Sequence, residues 1–232
     1  GGLLAYFHLR TLTRLPNIVS CSHSVANDLA QHGIISKVIQ NGVNLESVQQ
    51  GLNDAERREK RDLLGLPSHG VIFVFTGPLI RRKQPLLLIR HFLEYFPGTQ
   101  TFLCIVGDGP LMRKCRKEAN GSNQVLFPGF IKDVGPYLAA ADIFVSAASA
   151  EGLPNSLLEA LGWHLPVILS DIPPHREVLE INSSAGCLAR NVGTTNLFSS
   201  FDENLLKEEA QQASGDIVNR ILNARVMATQ YS

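Results

Sequence analysis

Two carboxylates stand eight positions apart in the segment Glu151-Gly-Leu-Pro-Asn-Ser-Leu-Leu-Glu159-Ala. Pro154 suits the first turn of a helix. The backbone N–H groups of Asn155, Ser156 and Leu157 would then lack intrahelical acceptors. Together with the helix dipole they form a ready anion site. Glu151 stands in the loop before this helix and Glu159 more than a turn inside it. A carboxylate accepts hydrogen bonds from vicinal hydroxyls through both oxygens. Two carboxylates flanking an anion site therefore suit a ligand with a phosphate between two sugars. Ordinary helix capping, which also favours Glu near an N-terminus, explains the same residues equally well.

A second cluster lies in Phe75-Thr-Gly-Pro-Leu-Ile-Arg-Arg-Lys83-Gln-Pro85. Arg81, Arg82 and Lys83 come just before a predicted helix, where positive charge opposes the dipole. Such a local conflict points to a task such as neutralising phosphate, although a solvated basic loop is a common alternative. The turn Gly107-Asp-Gly109 permits a close backbone approach. It departs from the dinucleotide G-x-G-x-x-G pattern at Met112 and reads more readily as a plain turn. Asn41-Gly42 reads as a turn of little functional weight. The run Arg113–Lys117 reads as one exposed helix face, with no interleaved aromatics to suggest nucleic-acid binding. The seven histidines show no metal-binding spacing and no G-x-S-x-G elbow occurs, so metal chemistry and a serine hydrolase are unsupported.

The elements that would position these residues alternate along the chain. Short apolar runs occur at Ile18–Cys21, Lys37–Val43, Val71–Gly77, Phe102–Gly107, Val125–Phe130, Asp142–Ala147, Pro166–Ser170 and Gly186–Ala189. Most are continuous rather than alternating, as strands buried on both faces are. Helical patterns separate them, and a longer helical stretch spans about Asn204–Ala228 with a break expected near Ser214-Gly215. The alternation predicts an α/β fold with a doubly wound parallel sheet. Ligands of such folds bind outside the carboxyl ends of the strands, where both clusters fall.

Length and composition agree. A chain of 232 residues buries roughly 70% of its unfolded surface, enough for one large domain or two small ones. The 21 basic and 21 acidic residues cancel, which argues against a general polyanion binder. No run approaches the length of about 18 apolar residues of a membrane span, and Arg10 and Arg14 interrupt any signal-peptide core. Cys21, Cys104, Cys115 and Cys187 are scattered, without a C-x-x-C pair. That pattern fits free thiols in a reducing compartment. The chain opens on Gly1-Gly2 with no initiating Met, and reads as a fragment whose upstream part is missing.

In their order along the chain these segments resemble the C-terminal donor-binding domain of retaining glycosyltransferases with the GT-B fold, of the family-4 type. The matching phrases are Asn41-Gly-Val, Gly77…Arg82-Lys83, Val106-Gly-Asp-Gly-Pro110, Phe127-Pro-Gly-Phe130 and Ala141-Asp-Ile-Phe-Val-Ser146. Glu151–Leu161, Leu165-Pro-Val-Ile168 and Asp171-Ile-Pro…Arg176-Glu177 complete them. The set covers about Ile18–Leu179 and is specific as a set. It implies a Rossmann-like domain over 17–200, a trailing piece of an N-terminal domain or linker at 1–16, and a C-terminal helical segment at 201–232 crossing toward that N-terminal domain.

The resemblance also implies roles. Lys83 would contact the diphosphate of a nucleotide sugar, with Arg82 beside it. Glu159 would take the ribose hydroxyls and Glu151 the donor sugar's hydroxyls. The backbone of Gly152, Leu153, Asn155 and Ser156 would hold sugar and phosphates, and Ile131 would meet the base. Glu151 and Lys83 would be catalytic. The donor would be a nucleoside-diphosphate sugar, with no metal and no other cofactor. The acceptor, a sugar or lipid-linked sugar, would be held by the missing N-terminal domain, and this fragment alone would transfer nothing. The implied setting is bacterial polysaccharide or glycoconjugate synthesis in the cytoplasm, with room for peripheral contact at the inner face of the membrane. A non-catalytic nucleotide-sugar module, a nucleotide-sugar epimerase and a doubly wound interaction domain are the alternatives. Two departures stand out: Pro78 follows Gly77 where the family usually has Arg, and His164 stands where it usually has Gly, at a helix end that favours a left-handed residue.

Overall fold

The structure is a computed structural model. It describes residues 11–13, 15, 17–43 and 52–230, with side chains up to 221. The expected trailing piece at 1–16 thus falls mostly outside the described residues. The described strands are β1 (Val19–Ser20), β2 (Lys37–Val38), β3 (Val71–Thr76), β4 (Thr101–Val106), β5 (Val125–Gly129), β6 (Ile143–Ser146), β7 (Val167–Ser170) and β8 (Gly186–Ala189). The helices are α1 (His23–Ala30), α2 (Asp54–Leu63), α3 (Pro85–Tyr95), α4 (Met112–Glu118), α5 (Gly135–Ala140), α6 (Asn155–Gly162), α7 (Pro173–Leu179) and α8 (Glu208–Gln230).

Six strands form one sheet in the order β5-β4-β3-β6-β7-β8, and every neighbouring pair is parallel. The chain starts at the centre with β3, moves to one edge, and returns to build outward from β6. The strand order therefore reverses between β3 and β6, and a crevice opens there beyond the carboxyl ends. β1 and β2 do not join this sheet; they pair with each other in parallel. The physical reason lies in their burial: Val19 is 58% exposed, whereas Val145 and Ile168 of the large sheet are fully covered.

Both faces of the large sheet are packed, as continuous apolar runs require. One core holds Ile72, Val74, Cys104, Phe144, Val167 and Leu169 with residues of α5, α6 and α8. The other holds Phe73, Phe75, Leu103, Ile105, Val145 and Ile168 with α3 and the turn at Leu197–Ser200. Phe73 meets Phe198 edge-on at 5.3 Å between centroids, a geometry that adds about 0.5–1.5 kcal/mol beyond burial.

Asp142 locks the amino end of β6. Its carboxylate takes Arg57 Nη1 at 2.8 Å, Arg61 Nη2 at 2.7 Å and the backbone N–H of Ile72, on β3, at 2.7 Å. Arg61 also donates to the Ala140 and Gly70 carbonyls, so each nitrogen of its buried guanidinium has a partner.

The C-terminal helix corrects one expectation. α8 runs unbroken through Ser214 and Gly215. Buried Ser214 donates to the Ala210 carbonyl one turn back at 3.0 Å. Gly215 serves close approach: a Cβ there would lie 2.4 Å from His164 Cε1. His164 itself adopts the left-handed conformation expected at that helix end, with φ +58°. Ala213, Ile217, Val218 and Ile221 belong to the main core, so this part of α8 packs on the sheet's helical layer. Among the described residues no helix is long and apolar enough to cross a membrane.

Glycines bring the loops after β3 and β4 together. Gly107 has φ +151°, and a Cβ on it would lie 1.9 Å from the Gly77 carbonyl oxygen. Leu79 N–H donates to Asp108 O, and Leu111 N–H to Leu79 O. The Gly-Asp-Gly turn is thus the support on which the basic loop rests. Gly107→Ala is expected to destabilise the domain by roughly 2–4 kcal/mol, through a backbone clash and a disfavoured φ. Urea denaturation checks the size of that loss.

Candidate functional site: a basic loop facing a carboxylate at the strand-order reversal

The carboxyl end of β3 leads into Gly77 and then a single 3-10 turn, Arg81–Lys83. Gln84 follows with φ +50°, and Pro85 opens α3. The loop after β6 carries Ser149, Ala150 and Glu151 into α6. The two loops are stitched together. The Arg82 carbonyl accepts from Ser149 N–H at 2.9 Å and Ser149 Oγ at 3.2 Å, and Arg82 Nη1 donates to the Ala150 carbonyl at 2.9 Å.

The charged groups meet across this seam. Arg82 Nη1 pairs with Glu151 Oε2. Lys83 Nζ lies 2.7 Å from Glu151 Oε1. That approach is a charge contact rather than an aligned hydrogen bond, and Oε1 has no hydrogen-bond partner. The side chains of Lys83 and Glu151 are 9% and 6% exposed, whereas Arg82 is 45% exposed. The cations thus avoid the α3 dipole conflict by turning to the facing carboxylate. Arg81 is exposed.

The helix carrying Glu159 starts one residue later than expected. Pro154 is the N-cap of α6 rather than its first helical residue. Leu157 N–H donates to Pro154 O at 3.1 Å, so it leaves the anion site. Asn155 and Ser156 then carry the helix-end N–H groups, and Asn155 is exposed. Leu153 buries its side chain in the core, and its carbonyl accepts from Asn41 Nδ2 at 2.8 Å. The Gly152 carbonyl accepts from Ser22 Oγ at 3.2 Å. A Cβ on Gly152 would lie 2.7 Å from Cys21 Sγ, which explains the glycine. Glu159 is half-buried, and burial holds its carboxyl above the usual range. Ile131 follows β5 at the far edge, two strands from β3, or about 10 Å at the usual spacing. Beside it Phe130 is 76% exposed.

Four positioning residues, Glu177, Asn41, Ser22 and His175, were not assigned roles on sequence grounds. Glu177 accepts from the His23 and Ser24 N–H groups at 2.8 and 2.7 Å and from Gln40 Nε2 at 3.2 Å. It caps α1 from 154 residues away in the chain, and together with Asn41 and Ser22 ties residues 20–41 to the site loop. His175 is fully buried. Its Nδ1 lies 2.7 Å from the Ser170 carbonyl, which fixes the proton on Nδ1 and leaves the buried Nε2 without a partner. Glu151, Lys83 and Asp171 are near enough to act on its charge. Only the Asp171…Glu177 phrase marked this region in the sequence. A separate cavity of about 640 Å³, lined by Asp171, Arg176, Glu180, Leu188 and Arg190 among others, opens between α7 and β8 and includes none of Lys83, Glu151 or Glu159.

The model of the family Glycosyl transferases group 1 matches residues 70–202. That is more than half of the chain, and the chain belongs to this family. Among its relatives is the UDP-Gal:alpha-D-GlcNAc-diphosphoundecaprenol alpha-1,3-galactosyltransferase of Escherichia coli, 33% identical over 128 residues, covering 52% of this chain and 33% of the relative. HepE of Anabaena, crystallised with UDP and glucose, superimposes with a TM-score of 0.77 at 16% identity, over 96% of this chain and 66% of that one. The sucrose-phosphate synthase of Thermosynechococcus elongatus gives 0.77 at 20% identity, over 97% and 59%. These superpositions establish the GT-B-type fold. The chain spans about a third of the length of the curated relatives it matches.

Two pH effects follow. The His175 pKa falls from 6.5 to about 4, chiefly through burial, with the Ser170 carbonyl opposing. The unfolded chain takes a proton that the folded one refuses, so stability drops as pH falls from about 6.5 to about 4, by on the order of 3 kcal/mol. Denaturation curves at pH 7.5 and 4.5 should show that loss shrinking in His175→Asn. Glu159 is protonated at higher pH than an ordinary Glu, and a hydroxyl donor favours its charged form. A hydroxyl-bearing ligand held by Glu159 would therefore bind more weakly as pH falls through the raised pKa. Calorimetry in buffers of differing ionisation heat should record proton release on binding, and Glu159→Gln should abolish it.

Proposed function

We propose that this chain is the donor-binding part of a glycosyltransferase that moves a hexosyl group from a nucleoside-diphosphate sugar to an acceptor, with retention at the sugar carbon. The observation that carries the reading is the Arg82–Lys83–Glu151 cluster beside the N-terminal end of α6, at the reversal of strand order. Uridine is the favoured base, because a relative is named for UDP-Gal and a structural neighbour was crystallised with UDP and glucose.

The residues divide the work. Lys83 and Arg82 supply positive charge where the diphosphate leaves, so the growing negative charge needs no water to reorganise around it. Arg82 takes the place of the cation that Pro78 lacks. The N–H groups of Asn155 and Ser156 add the helix-end contribution. Glu151 accepts from the donor sugar's hydroxyls and fixes its orientation. Glu159 takes the ribose hydroxyls, and Ile131 meets the base through its backbone. The acceptor, a sugar or lipid-linked sugar of a bacterial glycoconjugate, is bound by a second domain facing this crevice. The proposed setting is the cytoplasmic side of the membrane.

Titration calorimetry of the chain with UDP, GDP and their glucose conjugates tests the reading. Binding of at least one nucleotide is expected. Lys83→Ala should weaken it about tenfold to a hundredfold, as loss of a charged hydrogen bond does. Absence of binding by all four would overturn the proposal.

A further inference from the structure

The cations expected to grip a diphosphate are already occupied. Arg82 holds Glu151 Oε2, and Lys83 stands 2.7 Å from Oε1. Glu151 is too deeply covered to rely on water, with 6% of its side chain exposed. A buried carboxylate stripped of its cation is costly. Arg82 is held in place, because its carbonyl and guanidinium are both bonded to the Ser149–Ala150 loop, so Lys83 is the cation that can be drawn off. A diphosphate that draws Lys83 away therefore leaves Oε1 uncompensated unless another donor arrives. That oxygen has no hydrogen-bond partner of its own.

We propose that Glu151 competes with the diphosphate for Arg82 and Lys83, and that the donor's sugar hydroxyls relieve this competition. The inference rests on the donor-binding reading above. A nucleoside-diphosphate sugar brings hydroxyl donors to Glu151 as its phosphates take the cations, so the two halves of the ligand bind cooperatively. A free nucleoside diphosphate brings no hydroxyl to that oxygen, and its terminal phosphate carries extra negative charge toward the same carboxylate. Glu151 then recaptures Lys83 and weakens the hold on the spent nucleotide. The carboxylate that orients the sugar thus also speeds departure of the product.

Calorimetry of this chain with UDP and UDP-glucose, on the wild type and Glu151→Gln, tests the proposal. Glutamine keeps the shape but releases both cations. UDP should bind Glu151→Gln about tenfold tighter than the wild type, while UDP-glucose should gain less than about threefold. Glu151→Asp, which keeps the charge but draws it back by one methylene, should tighten UDP by about threefold, and serves if the glutamine variant fails to fold. Unchanged or weaker UDP binding by a folded variant, with the wild type still binding UDP, overturns the competition alone. No binding of either ligand by any of these proteins overturns the donor-binding reading, and this inference with it.

Discussion

The parallel pairing of β3 with β6 is the constraint on which the site depends. Phe73 lies against Ile143 and Val74 against Phe144, joining stretches 70 residues apart. Parallel strands in register send their carboxyl ends to the same rim. Lys83 follows Thr76 by seven residues and Glu151 follows Ser146 by five, so two short excursions suffice to bring them together. An antiparallel pairing would have placed the two loops at opposite ends of the sheet. Register matters as much as direction, since a slip of one residue exchanges the buried faces of both strands. The two cores, one on each face, exclude that slip.

A second layer of support comes from residues 20–41. Asn41 holds the Leu153 carbonyl, Ser22 the Gly152 carbonyl, and Glu177 the start of α1. The loop that carries Glu151 into α6 is therefore gripped from outside the main sheet. Its Leu153 and Gly152 carbonyls are engaged in that grip, and its Glu151 carboxylate is paired with Arg82 and Lys83. This polarity suits a ligand that is anionic in one part and hydroxyl-rich in another.

Much of this was legible in the sequence for physical reasons. Continuous apolar runs such as Val71–Thr76, short and rich in Val, Ile and Phe, suit strands covered on both sides, and each of the eight predicted runs overlaps a strand. Pro85 and the glycines at strand ends marked where helices and loops begin. Other features were not legible because they depend on distant partners. Nothing local to Glu177 tells that it caps α1, and nothing local to Asn41 tells that it reaches Leu153. Ser214-Gly215 looked like a helix break because Gly costs a helix about 1 kcal/mol; the compensating contact with His164 lies 51 residues away. The separate pairing of β1 with β2 was missed because apolar content alone does not say which sheet a strand joins.

Asp142 gives the sheet a division of labour. Its carboxylate joins β6 to β3 and to two arginines of α2 at the rim opposite the charged crevice. The mechanical anchor of the central strands and the ligand chemistry thus sit about one strand length apart. Loops at the working rim can change length, charge and side chain without loosening the clamp beneath them. Side chains at the working rim can thus be exchanged to suit a different ligand, while the other rim preserves the architecture.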